Sequence, residues 1–211
     1  IYMHYVLVRW FKEKMQPIMK GYAGLVVYAD DFVVCFQYKT DAEMFYEYLK
    51  RRMMHFGLEL EESKSWLVEF GRYAEERCRA KGGKPETFTF LGFTHYCSHG
   101  RTGKFRVKRK TSKKKLAKKS KEINATIRDM RFLRINQIVK KLNEILTGYY
   151  HYYGITDNSR SLNSFYNVVW FRLFYWLNRR SQRRSYTKKG YKELMRQFPL
   201  VRPRIYVSIY G

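Results

Sequence analysis

Asp30 and Asp31 stand side by side between two apolar runs, Gly24-Leu25-Val26-Val27-Tyr28-Ala29 and Phe32-Val33-Val34-Cys35-Phe36. The β-branched and aromatic residues on either side read as the strands of a hairpin, and the two acids are the only turn-tolerant residues between them. A tight turn then holds both carboxylates at one tip. At a separation of about 5 Å and an effective dielectric near 20, two such charges repel by roughly 3 kcal/mol. A hard divalent cation with oxygen ligands offsets that repulsion. An isolated Asp-Asp pair between strands is ordinarily a solvated turn. Tyr28-Ala29 directly before the acids sets this pair apart, because a solvated turn needs neither an aromatic nor a small residue there.

Tyr28-Ala29-Asp30-Asp31 resembles the aspartate motif of reverse transcriptases, and Leu25 to Phe36 resembles its group II intron branch. The resemblance implies nucleotide addition by two Mg²⁺ ions, with Mn²⁺ as a substitute, held by Asp30, Asp31 and a third aspartate on an upstream strand. It places Tyr28 and Ala29 next to the primer. Gly57-Leu58-Glu59-Leu60 followed by Lys64 resembles the next polymerase segment. There, the resemblance assigns Lys64 a place near the triphosphate and proton donation to the leaving pyrophosphate. Taken alone, Lys64 is an exposed lysine between two strands, Leu58–Leu60 and Leu67–Phe70. Phe88-Thr89-Phe90-Leu91-Gly92-Phe93 reads as a strand with a glycine at a bulge or close approach. It also resembles the primer-grip turn, which implies primer contact at Phe90, Leu91 and Gly92.

The elements around these residues follow from periodicity. Tyr2, Tyr5, Val6, Arg9, Trp10 and Glu13 repeat as a helix ending near Pro17. Thr40-Asp41-Ala42-Glu43 reads as a capping box opening a helix to about His55, with Ala42, Phe45, Leu49 and Met53 inward and Gly57 as its stop. Arg72 to Glu86 is polar and reads as a mobile loop.

From Lys104 to Lys121, eleven of eighteen residues are Lys or Arg and none is acidic. Lys108, Arg109, Lys110, Lys113, Lys114, Lys115, Lys118 and Lys119 are the candidate nucleic-acid contacts in this run. Leu116, Ile123, Ile127 and Met130 recur at helical spacing, so one side docks on a core while the rest stays cationic. Ile138, Leu142, Ile145, Leu146, Tyr149 and Tyr153 mark a second helix. Ser159 caps a third, carrying Leu162, Phe165, Tyr166, Val169, Leu173, Trp176 and Leu177, with Phe171 and Phe174 widening the stripe so that more than one side is covered. These aromatics read as packing. A basic end (Arg179, Arg180, Arg183, Arg184) precedes a short helix around Tyr191–Phe198.

Leu133 to Pro203 resembles the maturase-specific (X or thumb) domain of group II intron proteins, most of all in Leu146-Thr147-Gly148-Tyr149-Tyr150-His151-Tyr152-Tyr153-Gly154 and the Trp170–Arg180 helix. The resemblance implies a splicing maturase that binds its intron RNA. It also implies partners in an RNA template, a DNA primer and deoxynucleoside triphosphates. It begins downstream of a Gln-Gly-Gly motif, so the chain is expected to be the C-terminal part of a longer protein. The fingers, the upstream palm segment and the third aspartate would lie outside it, and the fragment alone is expected to be inactive.

Composition agrees with a polyanionic partner. The 211 residues carry a net charge of +25. Residues 1–99 contribute +1 and residues 100–211 contribute +24, which suggests two modules. A boundary is expected near Lys108–Lys110, giving a partial palm over 1–108 and a helical thumb over 109–211. No apolar run is long enough to span a bilayer and no signal peptide is evident, so a membrane is not the expected partner. Cys35, Cys78 and Cys97 never form a C-x-x-C pair, and His95-x-Cys97-x-His99 lacks a fourth zinc ligand. A reducing cytoplasmic compartment, bacterial or organellar, and a ribonucleoprotein context are expected. The expected fold class is α+β: an antiparallel sheet with packed helices, then an all-α bundle. Two alternatives stay open: a non-enzymatic RNA-binding splicing factor, and a defence-associated reverse transcriptase of the same branch.

Overall fold

The computed structural model describes residues 2–80, 82–100, 102–183 and 185–209, so Arg184 of the basic end lies outside the described residues. The fold is α+β, with small antiparallel sheets and several helices, as expected. Compact packing divides the chain between Leu91 and Gly92. The boundary expected from charge falls later, inside a strand.

The first unit opens on a helical segment, His4–Arg9 and Phe11–Met15, wound as a π-helix. Its wider turn replaces the expected face. Val6, Leu7, Phe11 and Met15 are buried, whereas Tyr2 and Tyr5 are exposed. Strands β1 (Ala23–Tyr28) and β2 (Asp31–Phe36) pair antiparallel. Residues Ala23, Leu25 and Val27 of β1 face the same side as Phe32, Val34 and Phe36 of β2, and all six join one apolar cluster with Phe45, Leu49 and Met53. Those three lie on helix α1 (Lys39–His55). Gly57, at φ +66°, follows its last turn as a left-handed stop.

The capping box at Thr40 does not form. The helix starts two residues earlier, at Lys39 after Tyr38, with no side-chain cap. Asp41 is instead buried, and its Oδ2 accepts a hydrogen bond from the Gly21 amide at 3.0 Å. This carboxylate fixes the entry to β1 rather than the end of α1. Leu58–Leu60 and Leu67–Phe70 are not strands, and Arg72–Glu86 contains a short helix, α2 (Ala74–Ala80). Strand β3 (Phe88–Phe90) closes the unit, with Phe88 edge-on to Phe70 at 5.0 Å.

The second unit begins with β4 (Phe93–His99) and β5 (Phe105–Thr111), paired antiparallel. Four helices follow: α3 (Lys113–Met130), α4 (Ile135–Tyr153), α5 (Ser159–Leu177) and α6 (Lys188–Gln197). Their inward residues form one core that includes Ile123, Ile127, Ile138, Leu142, Leu146, Leu162, Phe165, Val169 and Leu173. This is the expected helical stripe, with one correction. Phe171 is exposed, while Phe174 packs on the α6 residue Tyr191 with ring centroids 4.9 Å apart.

Ser159 is not the cap of α5. The preceding residue, Asn158, is fully buried and spends its side chain on a different task. Its Oδ1 accepts from the Thr111 amide at 2.8 Å, and its Nδ2 donates to the Thr111 hydroxyl and the Tyr153 carbonyl, both at 2.8 Å. The chain after α6 wraps back over α4. Asn143 bonds the Pro199 carbonyl and the Val201 amide at 3.0 and 2.9 Å, and the Gly154 carbonyl accepts from the Tyr206 amide at 2.6 Å.

Gly154 has no room for a side chain. A Cβ there would collide with the Tyr150 carbonyl and lie 2.9 Å from the Arg204 carbonyl. Gly154→Ala should therefore lower stability by about 3 kcal/mol, because backbone on both sides must move. Chemical denaturation measures this. A second outcome concerns pH. Burial pushes the Tyr149 phenol from its ordinary value of 10 up to about 12, and it also raises Tyr150 and Tyr191. The unfolded chain ionises these groups first. Their contribution to stability is complete below about pH 10 and is lost as pH rises toward 12. The melting temperature should fall steeply across that window, together with the rise of phenolate absorbance.

Candidate functional site

The hairpin places the acids differently from the simplest expectation. Tyr28 pairs with Asp31, so the two-residue turn is Ala29-Asp30 and Asp31 is the first residue of β2. Ala29 takes φ +52°. That left-handed region costs a non-glycine residue roughly 1 kcal/mol and excludes β-branched side chains. A small residue before the acids is thus a requirement of the turn. Directly paired residues of an antiparallel ladder share a face, so Asp31 lies on the side of Tyr28, Val26 and Val33, away from the core. Val26 and Tyr28 are 56% and 64% exposed.

Asp30 and Asp31 are both exposed, and neither has an ion pair among the described residues. One exposed carboxylate in the turn and the next on the open face of β2, neither with an ion-pair partner among the described residues, are a suitable donor set for part of a hard-cation site. No group of three His, Cys, Asp or Glu side chains among the described residues is placed to hold a metal ion. His95, Cys97 and His99 do share one face of β4, by alternation.

Lys64 sits in a single 3₁₀ turn, Glu62–Lys64, with an exposed side chain paired to Glu61 at 2.5 Å. Hydrogen bonds from Lys64 and Ser63 hold the Glu61 carboxyl below its usual range. The Leu91-Gly92 dipeptide between β3 and β4 has φ +49° and +78°, the signs of a tight primed turn. Gly92 is closely packed as well: a Cβ would lie 3.0 Å from the Tyr153 hydroxyl, and its carbonyl accepts from the Ser112 amide at 2.9 Å. Phe90 and Leu91 are half-buried beside it.

Strand alternation splits the basic run. Lys108 and Lys110 share a face with Arg106 and with Tyr96 of β4, and the Lys110 ammonium lies 5.1 Å from the Tyr96 ring. Arg109 points the other way, opposite His95. Burial, with Arg109 adding to it, lowers the His95 pKa. Ser112 then caps α3, its hydroxyl accepting from the Lys115 amide at 3.4 Å. Lys113, Lys114, Lys115 and Lys118 are exposed, and Lys119 is half-buried against Glu122 at 3.1 Å.

A groove of about 500 Å³ runs between α3 and α4, lined by Lys115, Lys118, Lys119 and Glu122 of α3 and by Glu144, Tyr149, Tyr152 and Tyr153 of α4, with Glu122 paired to Lys119 and Glu144 to Lys141. Tyr152 stacks on Phe93 at 6.1 Å and 11°. Tyr152, outside the apolar stripe of α4, is 58% exposed in this groove. Cations beside aromatic faces can hold both the phosphates and the bases of a polynucleotide. Asn158 is not found by sequence reasoning either, since a lone Asn between two helices carries no signal. The structure therefore brings Lys115, Lys118 and Lys119 together with the Tyr149–Tyr153 segment. The acidic hairpin belongs to the first unit.

Residues 113–197 match the family model described as group II intron, maturase-specific domain. The match runs from the first residue of α3 to the last of α6 and supports a group II intron maturase-specific region over these four helices. Residues 1–112 fall outside it. No curated protein matches the chain. No helix among the described residues is long and apolar enough to cross a membrane.

If about eight cations of this surface meet phosphates, affinity for RNA should fall about 10⁴-fold between about 50 and 200 mM salt. Replacing Lys113, Lys114 and Lys115 by Ala should reduce the slope of log affinity on log salt by about three. A titration followed by fluorescence anisotropy reads both, and a flat profile contradicts the interface.

Proposed function

We propose that this chain is part of an RNA-directed DNA polymerase and splicing maturase of a group II intron. In this reading, Asp30 and Asp31 hold Mg²⁺ or Mn²⁺ together with a third carboxylate from outside the described residues. Lys64 stands near the incoming triphosphate, and Phe90, Leu91 and Gly92 press on the primer backbone. The cationic surface of β5 and α3 grips the template–primer duplex and the intron RNA.

The observation that carries the reading is a strained two-residue turn presenting adjacent acids, in one chain with a maturase-specific domain. A binder of polyanions gains nothing from an anionic turn, because phosphate is repelled by it. Strain at Ala29 persists only where the surrounding structure enforces it, and such outliers gather at functional sites. Mg²⁺ held here would stabilise charge on the transferring phosphoryl group and its leaving pyrophosphate. The protein's own part is to keep Asp31 on the open face beside Tyr28 and to keep apolar residues on the other.

The second reading is a non-enzymatic RNA-binding splicing factor. The family match favours it to the extent that only the helical part of the chain is matched.

Metal binding separates the two readings. Mn²⁺ at millimolar concentration should broaden the backbone amide resonances of Tyr28 to Asp31, Mg²⁺ should compete, and Asp31→Asn should abolish the effect. Primer extension on an RNA template, by the protein including the third carboxylate, should fall about 10²–10³-fold or more in Asp31→Asn. Undiminished extension in Asp31→Asn contradicts the metal role of this hairpin, and no extension by the wild type together with no response to Mn²⁺ favours the non-enzymatic reading.

A further inference from the structure

Helix α5 contains no acidic residue from Ser159 to Leu177. Its inner side is occupied by the core, but its outer side is not. Phe171 and Tyr175, one turn apart on the same stripe, are 65% and 38% exposed. The Arg179 guanidinium lies 3.7 Å from the Tyr175 ring centroid, and that of Arg172 lies 5.9 Å from it. Tyr175 is thus flanked by two cationic planes.

The segment after α3 extends this character. Phe132 is 65% exposed, and the Arg131 guanidinium lies 4.2 Å from its ring and 5.8 Å from that of Trp176. Arg180 donates to the Leu133 carbonyl at 3.1 Å, which ties the segment to the end of α5.

We infer that this face is a second RNA contact, a stacking platform for unpaired bases. It is distinct in chemistry from the lysine-rich surface of α3. The inference rests on the intron-RNA reading above and specifies which part of the RNA each surface takes. Lysines are hydrated point charges that track phosphates whatever the base. Guanidinium planes beside exposed aromatic rings instead offer flat surfaces for bases and forked donors for phosphates. Bases already stacked in a duplex cannot use such a surface, so its ligand is single-stranded RNA, a loop or a bulge. The charge selects the occupant: an acid-free, arginine-flanked face suits a polyanion.

The test compares a single-stranded oligoribonucleotide carrying 2-aminopurine with an RNA duplex of equal length. The whole chain is used as wild type, Phe171→Ala/Tyr175→Ala, Phe171→Trp, and Lys113→Ala/Lys114→Ala/Lys115→Ala. Both aromatics are exposed, and circular dichroism checks that the double variant stays folded. Wild type should change the 2-aminopurine emission on binding. The double aromatic variant should lose that change and about tenfold in single-strand affinity. Its duplex affinity should stay within about twofold, and Phe171→Trp should keep single-strand binding. The lysine variant should weaken both ligands.

If wild type binds neither ligand, the RNA reading itself fails, and this inference with it. If the lysine variant weakens RNA but the aromatic variant binds single strands like wild type, the platform alone is overturned. It is overturned as well if the aromatic variant loses duplex and single strand equally. Unchanged RNA binding with a changed oligomeric state would assign the face to a protein contact, which also overturns it.

Discussion

Thr111 and Asn158 make the contact on which the second unit depends. Three hydrogen bonds of 2.8 Å join the end of β5, the end of α4 and the start of α5, the two between Thr111 and Asn158 buried and the one to the Tyr153 carbonyl half-buried. Removing either side chain leaves buried polar groups unpaired, each costing about 1–3 kcal/mol. The position matters as much as the energy. Lys108–Lys110 lie just before this junction and Lys113–Lys119 just after it, so one neutral knot sets the place of the cationic run at both ends. Charges of one sign would otherwise spread apart, and only Leu116, Ile123, Ile127 and Met130 tether α3 by apolar contact. Because the knot is uncharged, it fixes the lysines without neutralising them. Their mutual repulsion remains available to be relieved by a polyanion.

The first unit solves an opposite problem. It holds two acids together on a turn, with the apolar side of the hairpin buried against α1 and the N-terminal helical segment. Register decides which carboxylate goes where: pairing Tyr28 with Asp31 puts Asp31 on the open face and leaves Asp30 at the tip. A slip of one residue would bury Asp31 beside Phe45. The buried Asp41 carboxylate, bonded to the Gly21 amide, holds the start of β1 and so helps to keep that register.

Much of this was legible in the sequence where pattern and physics coincide. The acidic hairpin, helix α1 and the core stripes of α3, α4 and α5 came from apolar periodicity, which burial imposes directly. The features that escaped it share a cause, since most depend on a partner distant in sequence. Asp41 sits inside a local capping-box pattern, between its Thr and its Glu, but bonds a residue twenty positions earlier. Asn158 is an ordinary polar residue until Thr111 is beside it. The π-wound start of the chain shifted the buried set to Val6, Leu7, Phe11 and Met15, because its turn is longer than the 3.6 residues assumed. Phe171 matched the apolar pattern yet remains exposed, so hydrophobicity alone overstated the core. Strand alternation, legible in principle, divides Lys108-Arg109-Lys110 between two faces, whereas charge alone groups them on one surface.

The central claim is that polynucleotide is held by a cationic surface preset in the second unit. Lysine acetylation footprinting on the chain with and without intron RNA addresses it most directly. Protection is expected at Lys113, Lys114, Lys115, Lys118 and Lys119, with Lys12, Lys14 and Lys20 as reactive as in the free chain. Equal protection of both groups, or protection of the first unit's lysines alone, would contradict it.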